Sequence, residues 1–263
     1  MNDNWLKQTI DTPLYDRLLW SRPENKQHSG RVLVIGGSFH GFSKTVSSYE
    51  RLQSAGIGQV TILLPKSVQK LLGHISEDVI YCPNTDSGSF SSDSFADMLE
   101  FANLNDGVFF PGELSNNSET LIVIEKLVSS INKPIIVADE NIDTVLHFDA
   151  DFINRDNIVF VGSLDKIQKL LTKLKSDQAI TSGIALKNLV EVLQGFTAIN
   201  KLAIATIHQG YVLIAKGGKV ATTKIESAEH QKINPLTYHI AVWVIQNPNN
   251  QFDAMSCAAI SFQ

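Results

Sequence analysis

Val32-Leu33-Val34-Ile35-Gly36-Gly37-Ser38 is an apolar run that ends abruptly in a glycine turn. Four consecutive aliphatic side chains suit a strand covered on both faces, because successive strand residues point to opposite sides. Glycines at the carboxyl end of such a strand let the backbone approach a ligand. Open parallel sheets bind their ligands at that edge. The turn is not a Walker A loop, since no Gly-Lys-Ser or Gly-Lys-Thr follows at the required spacing, and it is not GxGxxG. Standing alone, Gly36-Gly37-Ser38 reads more readily as a plain tight turn than as a binding loop.

Working outward, short apolar runs alternate with helical segments, the signature of βαβ units and a largely parallel sheet. The spacing predicts strands at Val32–Ile35, Gln59–Leu64, Asp78–Cys82, Gly107–Phe110, Pro134–Ala138, Asn157–Val161 and Leu202–Thr206. It predicts helices at Thr45–Ala55, Ser92–Phe101, Glu119–Ile131, Lys166–Leu174 and Ala185–Phe196, with Ser91 or Ser92 placed to cap the second. Tyr211–Ala215 and Lys219–Thr223 flank Lys216-Gly217-Gly218 as a late β-hairpin. Two apolar helices follow, Leu236–Gln246 and Phe252–Phe262. Residues 1–30 read as polar and irregular, apart from a short amphipathic stretch around Leu14 to Trp20. No linker or internal repeat divides the chain, so one domain, with residues 1–30 packed on it, is the economical reading.

The 263 residues can bury a large core, and the 43% hydrophobic and 19% charged fractions are those of an ordinary folded protein. A net charge of −5 without any basic run argues against nucleic acid as a partner. No apolar stretch approaches the ~20 residues needed to span a bilayer. Met1-Asn2-Asp3-Asn4-Trp5 lacks the basic-then-apolar pattern of a signal peptide, so a cytoplasmic protein without membrane contact is expected. Cys82 and Cys257 read as reduced, partly buried thiols. The seven histidines show no ligand spacing, and no Cys/His metal set is visible.

Other stretches carry candidate chemistry. Phe110-Pro111-Gly112-Glu113-Leu114-Ser115-Asn116-Asn117-Ser118-Glu119-Thr120 puts small polar residues before a helix. That is either an anion site or an ordinary capping loop. Ser87-Gly88-Ser89 invites the same reading more weakly. Asp139 and Glu140 end the Pro134–Ala138 strand, where carboxylates act on a proton or a metal, or are simply solvated. His40 is the histidine nearest a suspected cleft.

Taken in order, Gly30–Ser38, Arg51–Thr61, Asp106–Leu114 with Glu119-Thr120, Pro134–Asp139 and Gln251–Ala254 resemble the ribokinase-like superfamily. Within it they are most similar to the ADP- or ATP-dependent NAD(P)H-hydrate dehydratases. The resemblance implies an α/β three-layer sandwich, with a largely parallel central sheet and helices on both faces. It implies ADP or ATP as cofactor, an NAD(P)H hydrate as substrate and a small-molecule nucleotide as partner, and it leaves a homo-oligomer open. It assigns ligand contacts to Gly36, Gly37, Ser38, Gly112, Asn116, Asn117, Ser163 and Gly210.

The departures bear on activity. Phe39, His40, Phe42 and Lys44 are bulkier than the family's small residues, and the family's threonine-proline-histidine segment is reduced to Gly162-Ser163-Leu164-Asp165. Its late lysine-glycine turn appears as His208-Gln209-Gly210. The family's glycine-serine-glycine-aspartate helix start, which supplies an anion hole and the catalytic aspartate, falls at Lys232-Ile233-Asn234-Pro235. No glycine remains there, proline has no N–H to donate, and no carboxylate stands in the aspartate's place. Three readings follow: a hydro-lyase with Asp139, Glu119 or Asp165 as substitute base, a non-catalytic ligand-binding or regulatory pseudoenzyme, and a small-molecule kinase. The third is weakest, because phosphoryl transfer relies on the same absent groups.

Overall fold

The computed structural model describes residues 4–73 and 77–263. Met1, Asn2 and Asp3, the first residues of the stretch without a signal-peptide pattern, lie outside the described residues, as does His74. The chain opens with β1 (Trp5–Gln8), α1 (Asp16–Trp20), β2 (Arg31–Ile35), α2 (Ser43–Ala55), β3 (Gln59–Pro65), α3 (Gln69–Leu72) and β4 (Val79–Cys82). It continues with α4 (Phe95–Leu104), β5 (Gly107–Phe110), α5 (Ser118–Ser130), β6 (Ile135–Ala138), α6 (Asp139–Val145), α7 (Ala150–Ile153) and β7 (Ile158–Val161). The last third holds α8 (Leu164–Lys173), α9 (Leu186–Ile199), β8 (Ala203–His208), β9 (Tyr211–Lys216), β10 (Lys219–Lys224), α10 (Ile233–Gln246) and α11 (Gln251–Ser261).

The ten described strands form one sheet in the order β1-β10-β9-β8-β7-β6-β5-β2-β3-β4. Among the described strands β9 alone runs against the others, because its neighbours β8 and β10 both pair with it antiparallel. Strand alternation splits the apolar residues cleanly between two faces. Leu33 and Ile35 of β2 enter a core with Phe110, Ile135, Phe160 and the buried faces of α4 to α9. Val32 and Val34 enter the opposite core with Phe109, Val159 and the helices α2, α10 and α11. The result is three layers, helices on both faces of a mostly parallel sheet. Each aliphatic side chain so buried contributes about 2 kcal/mol.

Every expected strand and helix is present, with shifts of a few residues at the ends. Four features correct the sequence reading. Trp5–Gln8 is a strand rather than irregular chain, paired in parallel with β10 at the sheet edge. Asp139 and Glu140 do not trail off a strand but open α6. β8 runs on to His208 and turns tightly through Gln209 and Gly210, both at positive φ, so the late hairpin is part of a three-stranded meander. Ser91 stands at the head of the short helical turn before α4 without a capping bond from its hydroxyl. The N–H of Ser92 instead donates to Glu119 Oε1 at 2.7 Å, so the cap comes from another element.

Cationic side chains finish the edge where the parallel strands start. Lys133 Nζ donates to the carbonyls of Ala102 (3.1 Å), Asn103 (2.6 Å) and Asn105 around the end of α4. Arg155 does the same at the end of α5, through Val128 and, at 2.7 Å, Ile131. Cations are favoured there because carbonyls without helical partners gather at helix C-termini. Among the described residues no helix is long and apolar enough to cross a membrane. Cys82 and Cys257 are both free and buried.

Candidate functional site

β2 lies between β3 and β5. The chain leaves β2 toward one neighbour and returns later on the other side, so the loops that follow β2 and β5 diverge. This is the topological switch point, where an open α/β sheet forms its ligand crevice. The two glycine stretches singled out in the sequence meet there. Gly37, at φ +94°, donates its N–H to Glu113 O at 2.9 Å, joining the loop after β2 to the loop after β5. The start of α2 packs directly on both loops. A Cβ on Gly36 would lie 2.6 Å from Thr45 Oγ1, and one on Gly112 would lie 2.9 Å from Lys44 Cβ, so no larger residue fits either place without displacement.

Beneath these turns lie two fully buried polar side chains, Thr45 and Asn141. Asn141 Nδ2 donates to the carbonyls of Phe110, at 3.0 Å, and Gly112, and so fixes the end of β5. Asn141 Oδ1 and Thr45 Oγ1 have no hydrogen-bond partner among the described residues. Buried polar atoms are nearly always paired; these two are exceptions, as are Thr206 Oγ1 and Gln246 Oε1 elsewhere in the fold. At the rim, Lys44 of α2 pairs with Glu140 of α6, an exposed contact that adds little stability.

The other candidate residues are distributed along the same edge. Asn117 caps α5: its Oδ1 accepts from Glu119 N at 2.9 Å and Thr120 N at 3.3 Å, and its Nδ2 donates to Ser87 Oγ at 3.1 Å. Asn116 beside it is exposed. The Glu119 carboxyl is held below its ordinary pKa by the Ser92 N–H and hydroxyl. Asp139 Oδ1 accepts from both the N–H and the hydroxyl of Ser163, each at 2.6 Å, and thereby ties α6 to the start of α8. Gly210 sits in the β8–β9 turn, past β6 and β7, where His208 Nε2 lies 2.7 Å from Ile184 O. Between that turn and α8 a cavity of about 520 Å³ is lined by Leu164, Asp165, Gln168, Lys169, Ile180 and His208, among others.

α10 begins at the same edge, since Gln246 at its far end donates to Ser29 O and Gly56 O beside the strand starts. Its first residues are Ile233-Asn234-Pro235, preceded by Lys232 in extended conformation without a side-chain cap. No loop of glycines exposes N–H groups here. Among the described residues no group of three or more His, Cys, Asp or Glu is placed to hold a metal ion.

Sequence reasoning picked out the glycines, Asn117, Glu119, Asp139 and Ser163. It missed Thr45, Asn141 and the Lys44–Glu140 pair. Only α6 starting at Asp139 brings Asn141 under Gly112, and no local pattern announces that.

No family model matches the sequence, and no curated protein matches it. Solved structures do. A ribokinase-like superfamily protein from Enterococcus faecalis V583 superposes with a TM-score of 0.69 at 14% identity, covering 99% of this chain and 86% of that one. The ADP/ATP-dependent NAD(P)H-hydrate dehydratase from Bacillus subtilis, co-crystallised with ATP/Mg2+, gives 0.59 at 12% identity, over 95% of this chain and 87% of that one. The pyridoxal kinase from Staphylococcus aureus, in complex with AMP-PCP and pyridoxal, gives 0.51 at 14% identity, over 89% and 84%. The fold is ribokinase-like.

Proposed function

We propose that this chain binds a nucleotide of the ADP or ATP class at the strand-end edge and is impaired in the hydro-lyase chemistry of the NAD(P)H-hydrate dehydratases it resembles. The start of α10 carries this reading. Where the family resemblance calls for glycines and an aspartate, the helix opens on Lys232-Ile233-Asn234-Pro235. A transition-state anion would meet fewer free N–H groups there, and water would meet no base. The three substitute carboxylates are already engaged, Asp139 and Asp165 by Ser163 and Glu119 by Ser92. Room for a ligand remains in the cavity of about 520 Å³ next to Ser163 and Gly210 in the chain, a volume within the usual range for small-molecule sites.

Melting the protein with ADP, ATP and NAD tests the binding half. A bound nucleotide near a hundred times its dissociation constant stabilises by about 3 kcal/mol. If no nucleotide shifts the melt, that half is wrong. Incubation with hydrated NADH and nucleotide tests the other half, and no loss of the hydrate is expected. Turnover that disappears in Asp139→Asn would instead establish the active hydro-lyase. Asp139 supports that second reading by its place at the end of β6.

A further inference from the structure

A second cleft opens on the β3–β4 side of the first glycine turn, with a volume of about 590 Å³. Its walls are Phe39 and His40 from the loop after β2, Lys66, Ser67 and Lys70 after β3, and Asn84, Asp86, Ser87 and Gly88 after β4. The charges lining it are the two lysines and one carboxylate, Asp86, with the His40 imidazole beside them. Lys66 and Lys70 are exposed, and neither makes an ion pair with a described residue. They are four residues apart on one helical stretch, where like charges repel. In a chain of net charge −5, two unpaired cations facing one hollow are an arrangement that an anion would relieve.

The frame around these cations is tied down. Gly88 O accepts from Ser67 Oγ at 2.8 Å and from the N–H of Phe39 at 3.2 Å, so one carbonyl joins the loops after β2, β3 and β4. The 85–89 turn closes on itself through Thr85 N to Ser89 O at 2.8 Å and Gly88 N to Thr85 O at 2.9 Å. Ser87 is held in addition by Asn117 from the loop after β5. A preorganised frame lowers the ordering cost of binding. Phe39, 39% exposed, lines the same cleft, its ring edge-to-face with the His40 imidazole at 5.0 Å between centroids.

We propose that this cleft binds a small phosphomonoester, with its phosphate between Lys66, Lys70 and His40 and its organic part against Phe39. The site is independent of the cavity beside Gly210 and of any turnover there.

Isothermal titration of the full chain with inorganic phosphate, phenyl phosphate and phenol tests it at neutral pH. Both phosphates are expected to bind, phenyl phosphate more tightly, and phenol alone not at all. The double variant K66E/K70E is expected to lose about tenfold or more for both, as removal of charge-assisted contacts entails. Phe39→Ala should weaken phenyl phosphate alone. Unchanged phosphate affinity in K66E/K70E overturns the proposal, and so does the absence of binding by either phosphate in the millimolar range. A melt of each variant reports folding, and K66Q/K70Q replaces the charge reversal if that melt is lost. A nucleotide-induced shift that survives in K66E/K70E belongs to the other cavity, so the two proposals fail separately.

Discussion

The two edges of the parallel strands are finished by opposite chemistry. At the strand starts, Lys133 and Arg155 donate to the last carbonyls of α4 and α5. At the strand ends, Asn117, Glu119 and Asp139 accept from backbone N–H groups at the starts of helical segments. Helix polarity dictates this, because every helix that follows a strand in a βαβ unit begins at the strand-end side. The edges also differ in what they leave over. At the starts, Lys133 and Arg155 are used on the protein's own carbonyls and Arg31 on the Asp106 carboxylate, while Gln246 keeps a buried oxygen without a partner among the described residues. The strand-end edge keeps a buried Thr45 hydroxyl, an unpaired Asn141 oxygen and two lysines without ion-pair partners.

Asn141→Leu is the strongest way to break the contrast. It strips the donor from the Phe110 and Gly112 carbonyls in a fully buried place, and urea unfolding should show a loss of about 4 kcal/mol. A loss under about 1 kcal/mol would mean that water serves those carbonyls and that the crevice floor is wet.

α10 joins the two edges, and His239 on it probes the protein between them. Burial, then Arg22 and His230, pushes its pKa from 6.5 down to about 4. The unfolded chain takes up a proton as pH falls through 6.5, while the folded chain does so only near 4. Stability from this group is therefore complete above pH 6.5 and declines by about 3 kcal/mol toward pH 4. The difference between wild type and His239→Gln in urea melts across that range should show the decline, and parallel curves would refute it.

Asp139→Ala and Arg155→Met compare the edges directly. Each removes charge-assisted bonds to backbone groups and should cost about 2 kcal/mol. The sharpening measurement is ligand response: nucleotide-induced stabilisation should change in the Asp139 variant and stay intact in the Arg155 variant. Asn117→Ala, the smallest effect, should cost about 1 kcal/mol as a lost helix cap.

The sheet was legible in the sequence because each central strand is a solid aliphatic run, and Val32–Ile35 or Ile158–Val161 can hardly be anything else. β1 was not legible. Trp5-Leu6-Lys7-Gln8 sits half-buried at an edge, too short and too polar for periodicity to separate it from a loop. Glu119 resisted for another reason: its role at Ser92 is a contact between residues 27 apart in sequence, invisible to any local window. The glycines of the crevice announced themselves by type. Thr45 and Asn141 are ordinary residues made special by what surrounds them.

β1 precedes every other described strand, yet its one described strand partner is β10. Trp5 pairs with Val220, and Gln8 Nε2 reaches Ser256 O, 248 residues later. During synthesis β1 must wait, unpaired, until β10 has emerged. Contacts of such sequence separation form late, since loop closure opposes them until the rest is in place. The β1–β10 pairing therefore closes the sheet late, and the β10 edge stays open to strands from other chains until that step.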